Sequence, residues 1–534
     1  MYQGFLIANY NTGFHTTKEP WLAPQDAFVT LENARCQDGI LTKRAGTAQL
    51  AQMIHDAAVQ TTTVTGLHLH SSRGYKWLLA CDTARPNVYD KTSGAMIDIS
   101  GGSDIFTGRD SELFWFLTHD DKTYMTNNRD GIYSFSGASF DPASPTAVAA
   151  LDMSLDSGSM TAAHMLFLLN DRFLCYDVVE AGVHRPYRLR YSQALAYGNT
   201  PVFTGGFFLD VRTDDKPVTG RKLGRYVYLW HDKSLWVIRP TGDTDIPFAP
   251  DRIRGDLGSL TPNVCIPFDR GILTVGQKDL IHFDGYETRK LNLPQLNNIL
   301  QQFTFLALKY SWGMYDEPNQ RIYITFAASG SNLPDRILEY SITDKVFAIH
   351  KINAHTLAMY DNSGFIAWDD ADAAFFKDGA TLAEMPIAGG GANPDKLAAE
   401  QDFPVYGGRD GFVYRMFTGS DDNSAAYDFK ATSARLNPFK DRGKRCSLAS
   451  VAVLVDTSAT ATFDVRLYKN TSTTAYKTQT ITCTGSGDKH WETLHAGGEV
   501  GDFHQIEYYN SATANIPAIH ATWLEMEPAG WLNP

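Results

Sequence analysis

Along most of the chain, short apolar runs are broken by brief clusters of Asp, Asn and Gly, and strong helical periodicity is scarce. WLLACDTARPNVYD from Trp77, LFWFLTHDDKTYMT from Leu113, MLFLLNDRFLCYD from Met165 and YVYLWHDKSLWVI from Tyr226 share this form. ILTVGQKDLIHFDG from Ile272, WGMYDEPNQRIYITF from Trp312, FIAWDDADAAFF from Phe365 and FPVYGGRDGFVYRMF from Phe403 repeat it. Each reads as two strands joined by a tight turn. With Asp82, Asp120, Asn170, His231, Gln277, Pro318, Asp369 and Gly408 as turn points, the mean spacing is about 47 residues. Four-stranded blade repeats fall at roughly 40 to 50, whereas a βαβ unit takes only about 30.

MLFLL at 165–169 is apolar on both faces, as a strand buried between two sheets must be. Hairpins of this kind must pack against their neighbours, and radial closure leaves only short, protected edges. The expected architecture is all-β, with a β-propeller-like body of about six to eight blades over residues 56–430. Eight hairpins would also build two successive sandwiches with no ring. After residue 430 the texture changes. SLASVAVLVDTSATATFDVRLYKN and HQIEYYNSATANIPAIHATWLEME alternate apolar with polar residues, which predicts a C-terminal β-sandwich over 431–534. Residues 1–55, with Pro20, Pro24 and strand-like AFVTLENARCQDGILTKRAG, read as an N-terminal ribbon docked on the body. LPQLNNILQQF at 293–303 is the best short helix, and the glycines of AEMPIAGGGANPDKLAA at 383–399 predict a loop.

DGIYSFSG at 130–137 is echoed by DGFVYRMF at 410–417. Asp-Gly suits a tight turn, because glycine takes positive φ without steric cost. Asp130, Gly131, Asp284, Gly285, Asp410 and Gly411 are therefore expected blade turns, and Trp77, Trp115, Trp230 and Trp236 are expected to fill between blades.

Composition narrows the partners. Lys plus Arg number 47 against 60 Asp plus Glu, and a formal charge of −13 argues against an adhesive DNA surface or an anionic membrane. No run approaches the ~18 apolar residues of a membrane helix, so membrane insertion is not expected. The opening MYQGFLIANYNTGFH lacks the zones of a signal peptide, so a soluble, unexported protein is expected. Cys36, Cys81, Cys175, Cys265, Cys446 and Cys483 stand apart from one another and read as reduced, buried thiols.

Candidate chemistry is sparse. No GxSxG elbow, HExxH helix or GxxxxGK[ST] loop is present. Gly389, Gly390 and Gly391 lack the strand-into-helix context of a phosphate cradle. His68 and His70 share one strand face, a spacing that could hold a metal, but no third ligand is marked. Asp369, Asp370 and Asp372, like Asp421 and Asp422, lack the spacing of a calcium loop and read as solvated turns. Lys440, Arg442, Lys444 and Arg445 form a basic cluster available to a phosphate or an acidic partner, with a solvated linker as the plainer reading. No catalytic residue, metal ligand or cofactor site emerges, so the chain does not read as an enzyme.

LENARCQDGILTKRAGTAQL at 31–50 and GSLTPNVCIPFDRGILTVGQKDLIHFDGYE at 258–287 carry a resemblance. The chain resembles the tail nozzle, or packaged-DNA stabilisation, proteins of short-tailed bacteriophages. The resemblance implies a propeller subunit in a sixfold homo-oligomeric ring, assembled in the host cytoplasm and placed in the virion tail below the portal. It further implies a head-to-tail adaptor and tail fibres or spikes as partners, with DNA passing through the ring without specific binding. Two other classes stay open: a propeller that binds or cleaves carbohydrate, and a monomeric scaffold propeller.

Overall fold

The computed structural model describes residues 2–16, 18–55, 62–72, 75–255, 257–276, 279–291, 300, 303–361, 402–456, 461–483, 488–513 and 516–532. The expected turn points Gln277 and Asp369, the carboxylates Asp370 and Asp372, the glycines Gly389 to Gly391 and most of the helix expected at 293–303 lie outside the described residues.

Seven antiparallel four-stranded blades are present among the described residues. Blade 1 spans Gly66–Ser72 to Ala95–Asp98, blade 2 Trp115–His119 to Val148–Ala150, and blade 3 Met160–Leu169 to Phe207–Asp210. Blade 4 spans Pro217–Leu223 to Phe248–Arg254, blade 5 Cys265–Phe268 to Thr288–Lys290, and blade 6 Gly313–Asp316 to Val346–His350. Blade 7 takes Ala354–Tyr360, Phe403–Gly408 and Phe412–Met416 from late in the sequence and its outermost strand, Thr47–Gln52, from the beginning. The first strand of each blade packs beside that of the next, and Ala354–Tyr360 returns to Gly66–Ser72, so the ring is closed.

Six of the eight turn points in the sequence lie among the described residues, one on each of six blades. Asp120, Asn170 and Pro318 lie between first and second strands, whereas Asp82, His231 and Gly408 lie between second and third. The turn marked in the sequence follows the first strand in some blades and the second in others, which is why the sequence spacing is uneven.

Apolar clusters sit between successive blades, where both sheet faces are buried. Leu79, Val88, Met125 and Phe135 join blades 1 and 2, and Phe167, Leu174, Leu229 and Ile238 join blades 3 and 4. Each fully buried Leu or Ile contributes about 1.5–3 kcal/mol relative to exposure. The tryptophans work at these seams: Trp77 Nε1 donates to Gly137 O at 3.1 Å in blade 2, and Trp115 Nε1 to Leu166 O at 3.0 Å in blade 3. Trp230 lies edge-on to Phe283 of blade 5, and Trp236 packs on the cluster between blades 3 and 4.

The sheets run across the boundaries expected at residues 55 and 430. One sandwich sheet orders His490–Gly501, Lys444–Asp456, Ala518–Trp531, Ile40–Lys43 and Ala34–Gln37, with Gln3–Ala8 also paired to Ala518–Trp531. The other orders Ala27–Glu32, Phe429–Ser433, His504–Asn510, Ala461–Lys469 and Lys477–Cys483. Glu32 pairs with Ile349, so this second sheet continues the outer edge of blade 6 as one ten-stranded sheet. Residues 1–55 are therefore sandwich strands and a blade strand, not a separate ribbon. Their apolar positions, such as Phe28, Leu31 and Leu41, are fully buried only when both chain ends meet.

At the junction Glu339 is buried and receives Arg35 Nη2 at 2.7 Å from the sandwich, Arg321 Nη1 at 2.6 Å and His350 Nε2 at 2.7 Å from blade 6. Burial opposes its charge, but Arg35 and Arg321 outweigh that, and the carboxyl sits far below the usual range. Arg44, wholly buried, is likewise held by Asp422 and by the ring of Tyr427. Asp422 is thus a structural counter-ion, and Asp421 accepts from Ser424 N at 2.7 Å to close a turn.

Candidate functional site

The concave site that gathers polar groups on apolar walls is the channel along the propeller axis, a cavity of about 770 Å³. First strands of all seven blades line it, because radial closure turns one face of each toward the axis. Glycine permits the approach: a Cβ at Gly220 would come within 2.7 Å of the Phe167 ring, and one at Gly313 within 2.6 Å of Ile266. Phe116, Leu168, Ile266, Met314 and Leu357 supply the apolar wall.

Of the two histidines singled out in the sequence, His68 lines this channel, whereas His70 is fully buried and does not. His68 stacks on Phe116 at 5.0 Å, and its Nε2 lies 2.7 Å from Thr118 Oγ1. His70 is buried against Thr123 Oγ1 at 2.8 Å and Phe135. Burial first, then His70 and Arg221, lower His68 to about 3, so it is neutral in the physiological range. Each ring thus engages blade 2 separately.

At one mouth of the channel lies a carboxyl pair that sequence reasoning missed. Asp402 is hydrogen-bonded to Asp361, and Asp361 is ion-paired with Lys76 of blade 1. Burial first, then the Asp361 charge and hydrogen bond, raise the Asp402 carboxyl above its ordinary value. The two aspartates are 41 positions apart in the chain, and only the hairpin of blade 7 brings them together.

The expected turn residues are scattered around the propeller. Asp284 Oδ1 accepts from Tyr286 N and Glu287 N at 2.9 and 2.7 Å, and Gly285 has φ 99°. Asp410 accepts from Tyr414 Oη at 2.6 Å beside Gly411 at φ 81°. Asp130 accepts from Thr107 N and Oγ1, both at 2.7 Å, but the left-handed residue of that turn is Asn128 at φ 62° rather than Gly131. In the basic cluster, Lys440 Nζ donates to Trp21 O at 2.9 Å, Lys444 lies over Trp531 and Arg445 pairs with Asp502 at 3.0 Å. Three of its four charges are engaged locally, and Arg442 is exposed.

Two outer surfaces are apolar. On the sandwich, Leu6 pairs with Trp523 and Leu454 with Trp491, and Leu6, Trp523 and Trp491 remain 54%, 39% and 47% exposed. On blade 3, the outermost strand Phe207–Asp210, unpaired along its edge among the described residues, leaves Phe207 and Phe208 exposed, with the Arg188 guanidinium 3.9 Å over the Phe208 ring.

No protein-family description matches the sequence, and no curated protein matches it. Among solved structures, PorZ, a bacterial surface component of the type-IX secretion system of Porphyromonas gingivalis, is similar at TM-score 0.34 and 11% identity. That match covers 66% of this chain and 39% of PorZ, so the chain spans about two-fifths of that protein. An exo-β-1,3-galactanase from Phanerochaete chrysosporium is similar at TM-score 0.27 and 8% identity, over 90% of this chain and 100% of the galactanase. A second structure of that enzyme, with galactose, gives TM-score 0.26 and 8% identity over the same shares.

Proposed function

We propose that the chain is a non-catalytic structural subunit of a ring-shaped conduit, the tail nozzle of a short-tailed bacteriophage that its phrases at 31–50 and 258–287 resemble. In this reading six copies meet the head-to-tail adaptor on one side and fibres or spikes on the other, retain packaged DNA in the virion tail and release it on ejection. The observation that carries the reading is the pair of unlike apolar surfaces, Trp491, Trp523 and Leu6 on the sandwich and Phe207 and Phe208 on blade 3. Unlike surfaces are what a head-to-tail contact requires, and such contacts form a ring when the rotation from copy to copy closes.

Two further points support it. Asp361 and Asp402 share a hydrogen bond, whereas carboxyls that cleave a glycosidic bond stand about 5–9.5 Å apart to straddle it. The formal charge of −13 would repel a phosphate backbone and let DNA slide past. Light scattering and negative-stain imaging of the purified chain test the reading. A multi-subunit ring with a central hole is expected, and a monomer at every concentration, with or without the adaptor, would sink it.

A second reading, a carbohydrate-binding propeller, is favoured by one observation: Trp491 and Trp523 stand on one open sheet face where sugar rings could stack. Glycan-array binding abolished by Trp523→Ala would establish it over the conduit.

A further inference from the structure

The axial channel carries an electrostatic imbalance that the conduit reading does not use. Arg221, on the first strand of blade 4, lines the channel, and its Nη1 donates to Cys265 O of blade 5 at 3.0 Å. That bond fixes the guanidinium against the wall and leaves most of its N–H groups available. No carboxylate pairs with it among the described residues, and the adjoining Lys222 lines the same cavity, also without an ion pair. Across the channel the nearby titratable group, His68, is neutral.

Two acids also line the cavity, Glu317 and Asp402, the latter beside Asp361. Asp361 is matched by Lys76, Asp402 is hydrogen-bonded to Asp361 and its carboxyl is raised by burial and by that neighbour, and Glu317 is exposed in the turn after Gly313–Asp316. Arg221 and Lys222 are exposed to the solvent of the channel, so their N–H groups are open to an incoming anion, and a charge-assisted hydrogen bond made beside an apolar wall is less screened than one in open water. Phe116, Leu168, Ile266 and Met314 offer that anion an apolar body to stand against.

We propose that the propeller channel is a binding site for a small apolar monoanion, an aromatic or medium-chain carboxylate or sulfonate, with its acid group on Arg221 and its apolar body against Phe116, Leu168 and Met314. The site is independent of ring formation, since it lies within one chain.

The test uses the full chain and two fluorescent probes of nearly the same body: anionic 8-anilinonaphthalene-1-sulfonate and neutral N-phenyl-1-naphthylamine. One anionic probe per chain is expected, held at least about tenfold more tightly than the neutral one and displaced by decanoate. Arg221→Met should weaken the anionic probe about tenfold and leave the neutral probe unchanged. Leu168→Trp, which fills the channel, should exclude both, whereas Trp523→Ala should exclude neither. Equal affinity for the two probes, or anionic binding untouched by Arg221→Met in a variant with unchanged circular dichroism, would overturn the site. Loss of binding in Trp523→Ala would move it to the sandwich surface and overturn it equally.

Discussion

Blade 3 and the junction of blade 6 with the sandwich are both antiparallel sheet, yet they are assembled in opposite ways. Blade 3 is written in one stretch, Met160 to Asp210, each strand pairing with the next in sequence. The junction gathers Ala27–Glu32, Arg321–Phe326, Val346–His350 and Phe429–Ser433 into a single sheet, and its central ion cluster draws Arg35 to Glu339 across 304 positions. Local pairing needs only short loops, whereas the junction must close very long ones before any contact forms. The blade is stabilised by apolar burial. The junction adds a buried charge whose worth depends on every partner being present.

That contrast can be broken most severely at Glu339. Glu339→Ala leaves Arg35 and Arg321 buried without a counter-charge and should cost about 3–5 kcal/mol. Chemical denaturation should then show propeller and sandwich failing together. Retention of the wild-type midpoint would mean that the cluster does not couple them. Within blade 3, Leu174→Ala removes a fully buried side chain from the seam with blade 4 and should cost about 2–5 kcal/mol with no ionic component. Its loss should therefore be insensitive to salt, and a strong salt dependence would erase the distinction drawn here.

Acid sharpens the comparison further. Burial lowers His350 at the junction and His231 and His355 in the blades to about 4 from the ordinary 6.5. Because the unfolded chain binds the protons first, stability should fall as pH drops from about 6.5 toward 4. In His350→Gln that fall should be shallower when urea midpoints are followed against pH, and an identical slope would remove His350 from the account. The smallest effect is expected at an outer turn. Gly285→Val forces a β-branched residue to φ 99° and should cost about 1–3 kcal/mol, read as a lowered melting temperature. An unchanged melting temperature would show that the turn relaxes freely.

Legibility followed the same division. The Asp-Gly turns at 284–285 and 410–411 and the seam tryptophans Trp77 and Trp115 could be read directly, because a turn or a twice-buried strand leaves its chemistry within a dozen residues. The eight hairpins read in the sequence compare with seven blades among the described residues, and the hairpin expected around Asp369 lies outside those residues. The channel was illegible. Arg221 looks like any strand-end cation, and Asp361 and Asp402 carry no shared motif. The segment 31–50 was read as a ribbon because its alternation marks strands without saying which strands they join.

The sequence by itself determined that this chain is all-β, that it repeats as blades, and that its last hundred residues change texture toward a sandwich. Those features rest on side-chain alternation and turn stereochemistry, which act over neighbouring residues. The tertiary structure alone decided that Thr47–Gln52 closes blade 7, that both chain ends build the sandwich, and that Arg221 lines the channel with no carboxylate partner among the described residues. Strand partners far apart in sequence are chosen by which pairing buries the most apolar surface and satisfies each buried charge, a property of the whole fold and of no segment within it.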